Sequence, residues 1–293
     1  MSTATSTPRS LPRLPLASLI MVLLSASVGF GEEITLDQVK QNWEDRTSRI
    51  QNLHVLISST ASAENRIRVK DRDNLPPRAN LLQTHELRLK NRMFAYKLDT
   101  LQGAETGRPR GMRATYDGKF SQFYSGLPSK LGSVSSGQID PKPYAFCAKK
   151  GELLPVLINT RGLILECGGI NFNEYVISSR NEDVLGTTCI RLAPANRREY
   201  SRVFYCDPSN GFTVRRIEEF VNERLYSLFD ISFEPGEEVP SSWAIAILNT
   251  ETTATTFQSK CAVEKIELNR QILDSEFTFE FPPLTDVQGG PDK

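Results

Sequence analysis

The stretch from Cys261 to Val287, CAVEKIELNRQILDSEFTFEFPPLTDV, reads as two extended runs joined by a polar connection. In the second run Phe277, Phe279 and Phe281 alternate with Glu276, Thr278 and Glu280. A period of two sends all three rings out of one side of a strand and the polar groups out of the other. In the first run the same counting puts Val263 on one face and Ile266 and Leu268 on the opposite one. Pro282 and Pro283 end the pairing, because proline has no N–H to give a ladder. A sheet whose last strand carries three phenylalanines on one face must cover that face. A second sheet, a helix layer or a bound apolar ligand could do so.

Working back from this stretch, the chain after residue 184 is nearly all strand and turn. VLGTTCIRLAP (184–194) is predicted as a strand, and residues 199–235 as three more. These are separated by Asp207-Pro208-Ser209-Asn210-Gly211 and by Asn222-Glu223-Arg224, both turns by composition. Leu225, Ser227, Phe229, Ile231 and Phe233 share a face, and SSWAIAILN (241–249) is another strand. Glu218-Glu219 and Arg215-Arg216 are adjacent on a strand, so each pair splits across both faces.

Near the start, ITLDQVKQNWEDRTSRIQ (34–51) has the spacing of an amphipathic helix, with Ile34, Val39, Trp43 and Ile50 on one side and Thr35 as its cap. A strand follows at once, in which Leu53, Val55 and Ile57 share a face. Leu87 with Leu89, and Phe94 with Tyr96, lie on two strands of a hairpin turned at Lys90–Arg92. Asp117-Gly118 is the strongest hairpin signal in the chain. Residues 61–83 are expected to be loop with some strand near 67–69, and the Gly, Ser and Pro-rich residues 125–143 a surface excursion. Tyr144–Ile158 has a helix-like apolar distribution broken by Gly151 and Pro155, so one helix or two short ones are expected. Short strands are expected at 163–165 and 175–178.

The chain has 293 residues, 39% hydrophobic and 24% charged, with 35 basic and 35 acidic side chains. That is a globular balance without the basic excess that nucleic-acid binding calls for. Arg9 and Arg13 precede an apolar core, Leu16–Leu24, and small residues follow it. This is the layout of a secretory signal peptide, cut after Ser27 or Gly31, with an uncleaved N-terminal anchor as the alternative. The apolar core is shorter than the roughly 20 residues a spanning helix needs, and no stable transmembrane span is expected after its removal. No Cys follows it, so a lipoprotein attachment site is absent. The expected organisation is a signal peptide at 1–31, one domain at 32–288 and a loose tail at 289–293, with a periplasmic or secreted location.

The five cysteines, Cys147, Cys167, Cys189, Cys206 and Cys261, form no CxxC or metal-ligand spacing. Export permits disulfides. Cys189 and Cys206 end two runs that could pair about Pro194–Arg198, so a bridge between them is one possibility; buried, reduced thiols are the other.

Together these elements imply a mainly β (α+β) fold: one large, curled antiparallel sheet of about nine to eleven strands with a few covering helices. IELN…ILDSEFTFEFPPLTDV, the Asp-Pro turn in VFYCDPSNGFTVRRIEEF, and the helix-into-strand start at 34–58 resemble the LolA/LolB-like superfamily of periplasmic lipoprotein carriers. The resemblance covers about half of the mature chain and leaves residues 60–170 unmatched. It implies an incomplete β-barrel closed by helices, with an apolar cavity for acyl chains. A fold so widely shared does not fix its ligand.

No converging reactive group appears in the sequence. His54 and His85 lie in predicted strands without ligand-spaced partners, as partly exposed residues. HExxH, GxSxG and phosphate-binding loops are missing. Asp207 is expected to cap its own turn. The expectation is therefore a non-enzymatic binder without cofactor or metal. Its partner would be a lipid or lipoprotein acyl chain or, alternatively, an envelope protein. The apolar faces could be plain core or could line a trough. Candidate lining residues are Val55, Ile57, Leu87, Leu89, Phe94, Tyr96, Phe229, Ile231, Phe277 and Phe279. A bound chain would contribute roughly 0.8 kcal/mol per CH₂.

Overall fold

A computed structural model describes residues 33–62, 81–102, 111–126, 135–140, 151–162, 170–196, 198–283 and 285–289. The expected signal peptide, the strands near 67–69 and 163–165, Cys147 and Cys167 lie outside the described residues. Helix α1 (Leu36–Arg49) leads into β1 (Asn52–Ser62), β2 (Leu81–Lys90), β3 (Met93–Gln102), β4 (Gly111–Tyr116), β5 (Ser121–Ser125) and β6 (Ser135–Asp140). Helix α2 (Leu154–Arg161) precedes β7 (Tyr175–Val184), β8 (Thr187–Pro194), β9 (Tyr200–Asp207), β10 (Thr213–Val221), β11 (Arg224–Ser232), β12 (Ser242–Leu248), β13 (Thr255–Leu268) and β14 (Thr285–Gly289).

All fourteen strands belong to one sheet, in the order β14-β6-β5-β4-β3-β2-β1-β13-β12-β11-β10-β9-β8-β7. It is curled and does not close. Every neighbouring pair is antiparallel except β14 on β6. The fold class is the expected one, with more strands than expected. One of these, β6, runs through the stretch expected to be a surface excursion. The described residues from Thr35 onward form one compact unit. Among the described residues no helix is long and apolar enough to cross a membrane.

Local chemistry explains the boundaries. Thr35 caps α1 in a reciprocal box with Gln38, and Asp37 and Arg46/Arg49 match the helix dipole at its two ends. The Asp117 carboxylate accepts the Lys119 and Phe120 N–H groups in the β4–β5 turn. Asp207 does the same for Ser209, as its sequence position predicts. The expected strand at 184–194 is divided: Leu185 and Gly186, at φ 53° and 80°, turn the chain, and Val184 closes β7.

Two findings overturn the opening stretch. First, Phe277–Phe281 is not a strand. A 3₁₀ turn spans Asp274–Phe277, and an unpaired extended segment runs to Pro282. The segment lies across the strands rather than along them, so it alternates in exposure without joining the ladder. It re-enters the sheet as β14, which carries the pairing to Gly289, one residue into the expected tail. Second, the β1–β13 register shifts between Leu56 and Ile57, leaving Glu264 as an extra residue in β13. Val263 then pairs with Ile57, and Ile266 with Val55. All three β13 apolar residues, Val263, Ile266 and Leu268, therefore share one face instead of splitting. Ile266 and Leu268 are 36% and 44% exposed, because β12 ends opposite Ala262 and leaves them without that neighbour.

Candidate functional site: the helix-covered face of the sheet

The inner face of the sheet is the one the helices cover. Trp43 of α1 donates its indole N–H to the Phe212 carbonyl at 2.9 Å. Helix α2 is fixed through Asn159, which accepts the Val214 N–H at 2.8 Å and donates to the Val214 carbonyl at 3.3 Å. Arg161 donates to the Gln51 carbonyl, one residue before β1. Every residue of α2 is buried. Arg46, 2% exposed, bonds the Gly211 carbonyl; burial holds its pKa below the ordinary value, with Glu238 opposing.

Register assigns the predicted lining residues to faces. Val55, Leu87 and Tyr96 are cross-strand neighbours, as are Leu53, Leu89 and Phe94. With Ile57 they form one apolar patch on the inner face of β1–β3, none more than 8% exposed. Phe229 and Ile231 share that face through Ile245, Trp243, Ser259 and Cys261. Gly151, just before α2, meets the Phe229 ring, so this part of the face is covered by the chain itself.

Phe277 and Phe279 do not join the other candidates. Phe277 packs with Ile272 on Ala95, which points away from Tyr96 and so lies on the outer face. Phe279 N–H bonds Gln122 on that same outer face at 3.1 Å, and the Phe281 ring sits over Gly137. The three rings cover the back of the sheet.

A cavity of about 340 Å³ opens on the inner face at the β7–β9 end. Ile170, Tyr175 and Pro194 supply apolar wall; Glu174, Arg198, Tyr200 and Arg202 supply charge and hydroxyls. The segment 170–174 stands on the helix side, with Phe172 edge-on to Trp43 at 5.3 Å. Tyr175 packs on Phe204 at 5.6 Å. Behind Tyr200 and Arg202 lies Glu219, 8% exposed. It takes the Tyr200 hydroxyl and Arg202 Nε (2.8 Å) on one oxygen and the Ser227 hydroxyl on the other. Burial would lower the Arg202 pKa, but the Glu219 carboxylate outweighs it and holds it above its ordinary value. Burial pushes the Tyr175 hydroxyl up to about 12 and raises that of Tyr200 as well, so both phenols stay neutral. Arg198 is tied to Glu174 at 2.9 Å. Glu218, as expected, leaves the other face and accepts the Tyr205 hydroxyl at 3.0 Å.

Both histidines are more buried than expected, His54 at 8% and His85 at 1%. His54 lies on the outer face between Glu267 (2.8 Å) and Glu86 (2.9 Å). His85 lies on the inner face between Ser59 Oγ (2.8 Å) and Tyr96 OH (2.9 Å). Each buries its ring because central strands flank it on both sides. No cluster among the described residues could hold a metal ion.

Cys189 and Cys206 are free and buried. Cys206 pairs with Ile190, so Cys189, one residue on, leaves the opposite face and joins Val184, Val203 and Tyr205. A bridge would have to pass through the sheet. Burial pushes the Cys189 thiol up to about 12.

The architecture is the one the LolA/LolB-like resemblance implied: an unclosed, curled sheet with helices on one face. No protein-family model matches the chain, and no curated protein does. Among solved structures, it is similar to a domain named for outer membrane lipoprotein sorting from Vibrio parahaemolyticus. There the identity is 9%, with 83% of this chain and 95% of that chain covered, at a TM-score of 0.49. An uncharacterized conserved protein from Thermus thermophilus aligns at 8% identity over 85% and 98% of the two chains, TM-score 0.35. MucB in its complex with MucA aligns at 12% identity over 82% and 59%, TM-score 0.27. Likeness at this level says nothing about what this chain binds.

Proposed function

We propose that this chain is an exported binding protein, without chemistry of its own, that holds a lipid or lipoprotein acyl chain on the inner face of its sheet. The cavity of about 340 Å³ on that face supports this best. It combines apolar wall with a charged and hydroxylated rim, the composition that an amphipathic ligand needs, and its volume is within the range of small-molecule sites. The two arginines at the rim, Arg198 and Arg202, are already paired with Glu174 and Glu219. They therefore suit a polar headgroup that exchanges hydrogen bonds better than a bare anion. The apolar patch of Val55, Leu87 and Tyr96 continues the same face.

Native mass spectrometry of the exported protein, followed by organic extraction, tests the proposal. A bound acylated species is expected. Delipidated protein that gains no thermal stability from any acyl ligand would overturn it. A protein-partner role is the second reading, favoured by the β7 edge, which has no paired neighbour among the described residues. A co-purifying protein with no extractable lipid would select it.

A further inference from the structure

The cavity at the β7–β9 end is lined by two aromatic rings, Tyr175 of β7 and Tyr200 of β9. Both are held from behind. Tyr175 packs on Phe204 at 5.6 Å, and the Arg202 guanidinium lies over the Tyr200 ring at 5.6 Å. Tyr200 is still 46% exposed. Two contacts tie the 170–174 segment to the β8–β9 connection. The Ala195 N–H bonds the Glu174 carbonyl at 2.7 Å, and Arg198 meets the Glu174 carboxylate at 2.9 Å. The walls are therefore set before a ligand arrives, which lowers the ordering cost of binding.

The polar groups of the cavity keep unused capacity. The charges of Arg202, Arg198 and Glu174 all act on the Tyr175 hydroxyl, which places it among them, and no hydrogen bond from a described residue does. It opens on the cavity instead of being sealed inside the protein. Burial keeps it protonated, so it can donate as well as accept. Asn171 Oδ1 accepts the Asn173 N–H at 3.2 Å, which leaves the amide NH₂ to donate. A carboxylate accepts several hydrogen bonds and a guanidinium donates several, so the Glu174–Arg198 contact leaves capacity on both.

Charge is balanced throughout. Glu219 neutralises Arg202 in the buried part, and Glu174 neutralises Arg198 in the exposed part. The two pairs leave no net charge to attract an ion of either sign. A zwitterion would have to open the Arg198–Glu174 pair and shed the water around its own two charges. Opening an exposed pair costs little, but stripping two charges of water costs far more. A hydroxyl avoids both costs. It donates to the carboxylate and accepts from the guanidinium, bridging the pair as it stands.

We propose that this cavity takes a neutral, hydroxyl-rich ring, a sugar, with Tyr175, Glu174, Arg198 and Asn171 as its hydrogen-bonding groups. The C–H face of the ring meets the apolar wall of Ile170, Tyr175 and Pro194. A volume of about 340 Å³ is near the lower end of small-molecule sites and suits a sugar head better than a whole acylated molecule. The proposal rests on the binding function above and names the headgroup.

The test is calorimetric titration of delipidated protein with dodecyl maltoside, dodecylphosphocholine and dodecyl phosphate, each below its micelle concentration, and with maltose. The three detergents share a tail and differ in the head. Dodecyl maltoside is expected to bind about tenfold tighter than the other two, and about tenfold weaker in Tyr175→Phe, which keeps the ring and removes the hydroxyl. Dodecylphosphocholine affinity should not change in that variant. Arg198→Gln, at an exposed position, should weaken dodecyl maltoside in the same way and decides if Tyr175→Phe does not fold. Equal binding of the three heads, or dodecyl maltoside indifferent to both substitutions, overturns the sugar and leaves the acyl-binding function standing. Tighter dodecylphosphocholine selects a zwitterion and tighter dodecyl phosphate an anion; either result also overturns it. Maltose that binds as tightly as dodecyl maltoside keeps the sugar, makes a free saccharide its source instead of a glycolipid, and removes the acyl chain. Binding of none of the four overturns both.

Discussion

Helix α2 and the segment Arg270–Phe281 both lay apolar side chains on the sheet, one on each face, and they do so in opposite ways. Helix α2 is enclosed on all sides, so its polar side chains must be satisfied inside: Asn159 on Val214, Thr160 on the Val156 carbonyl, Arg161 on Gln51. The C-terminal segment is enclosed on one side only. Ile272 and Phe277 are buried, Phe279 and Phe281 are half-buried, and Thr278 and Glu280 between them are exposed. Its backbone is held by side chains instead of a ladder: Lys90 donates to the Ile272 carbonyl at 3.0 Å, and Gln122 accepts from Phe279. Periodicity therefore reports which sides of a segment meet water, not how its backbone is hydrogen-bonded. The enclosed helix shows almost no pattern, and the one-sided strap shows the pattern of a strand.

If the strap is a second cover, Phe277→Ala should have the largest effect, a loss of about 3–5 kcal/mol in urea unfolding, as for a fully buried aromatic. Phe279→Ala should cost much less. Equal and small losses would make the strap a surface feature and end the comparison. On the other face, Asn159→Ala leaves the Val214 N–H and carbonyl without their side-chain partner. A loss of about 1–3 kcal/mol is expected, with α2 amides exchanging faster than those of β10.

A smaller effect should follow at the far end of the strap. A Cβ on Gly137 would lie 2.6 Å from the Phe281 ring. Gly137→Ala should displace that ring at a cost of about 1 kcal/mol and raise hydrogen exchange in β6. Unchanged β6 protection would show that β14 is held independently of Phe281.

The smallest effect concerns pH. A hydrogen bond from His54, joined by Lys265 and Arg270, holds the Glu267 carboxyl at about 2, below its ordinary 4.5. Burial opposes the shift of Glu86, but His54 and Arg88 hold it low as well. A depressed carboxyl stabilises the fold above its unfolded value and loses that contribution as pH falls through the folded one. Stability should thus decline from about pH 4.5 toward 2. Glu267→Gln should flatten the decline; an unaltered slope would show that the charge ring around His54 does not brace the strap.

Much of this was legible beforehand. The α1 cap, the β2–β3 and β4–β5 hairpins, the Asp207 turn and the alternation within each strand, Val55 with Ile57, Leu87 with Leu89 and Phe94 with Tyr96, all follow from short-range chemistry. Ser135–Asp140 was not, because a strand poor in apolar residues resembles a loop when its cover comes from Phe281 and Thr285, far along the chain. The Glu264 bulge also leaves no local mark, since one extra residue alters the facing of Ile266 and Leu268 only once β1 is in place. The same holds for Cys189 and Cys206: their sequence spacing suits a hairpin, while the register sends them to opposite faces.

From the sequence alone came the kind of elements, their order and the apolar side of most strands, since dihedral preference, turn chemistry and alternation act over a few residues. Which face each greasy segment covers was decided in three dimensions. That choice depends on pairings between residues more than a hundred positions apart, such as Trp43 with Phe212 and Phe279 with Gln122, and no local pattern encodes them.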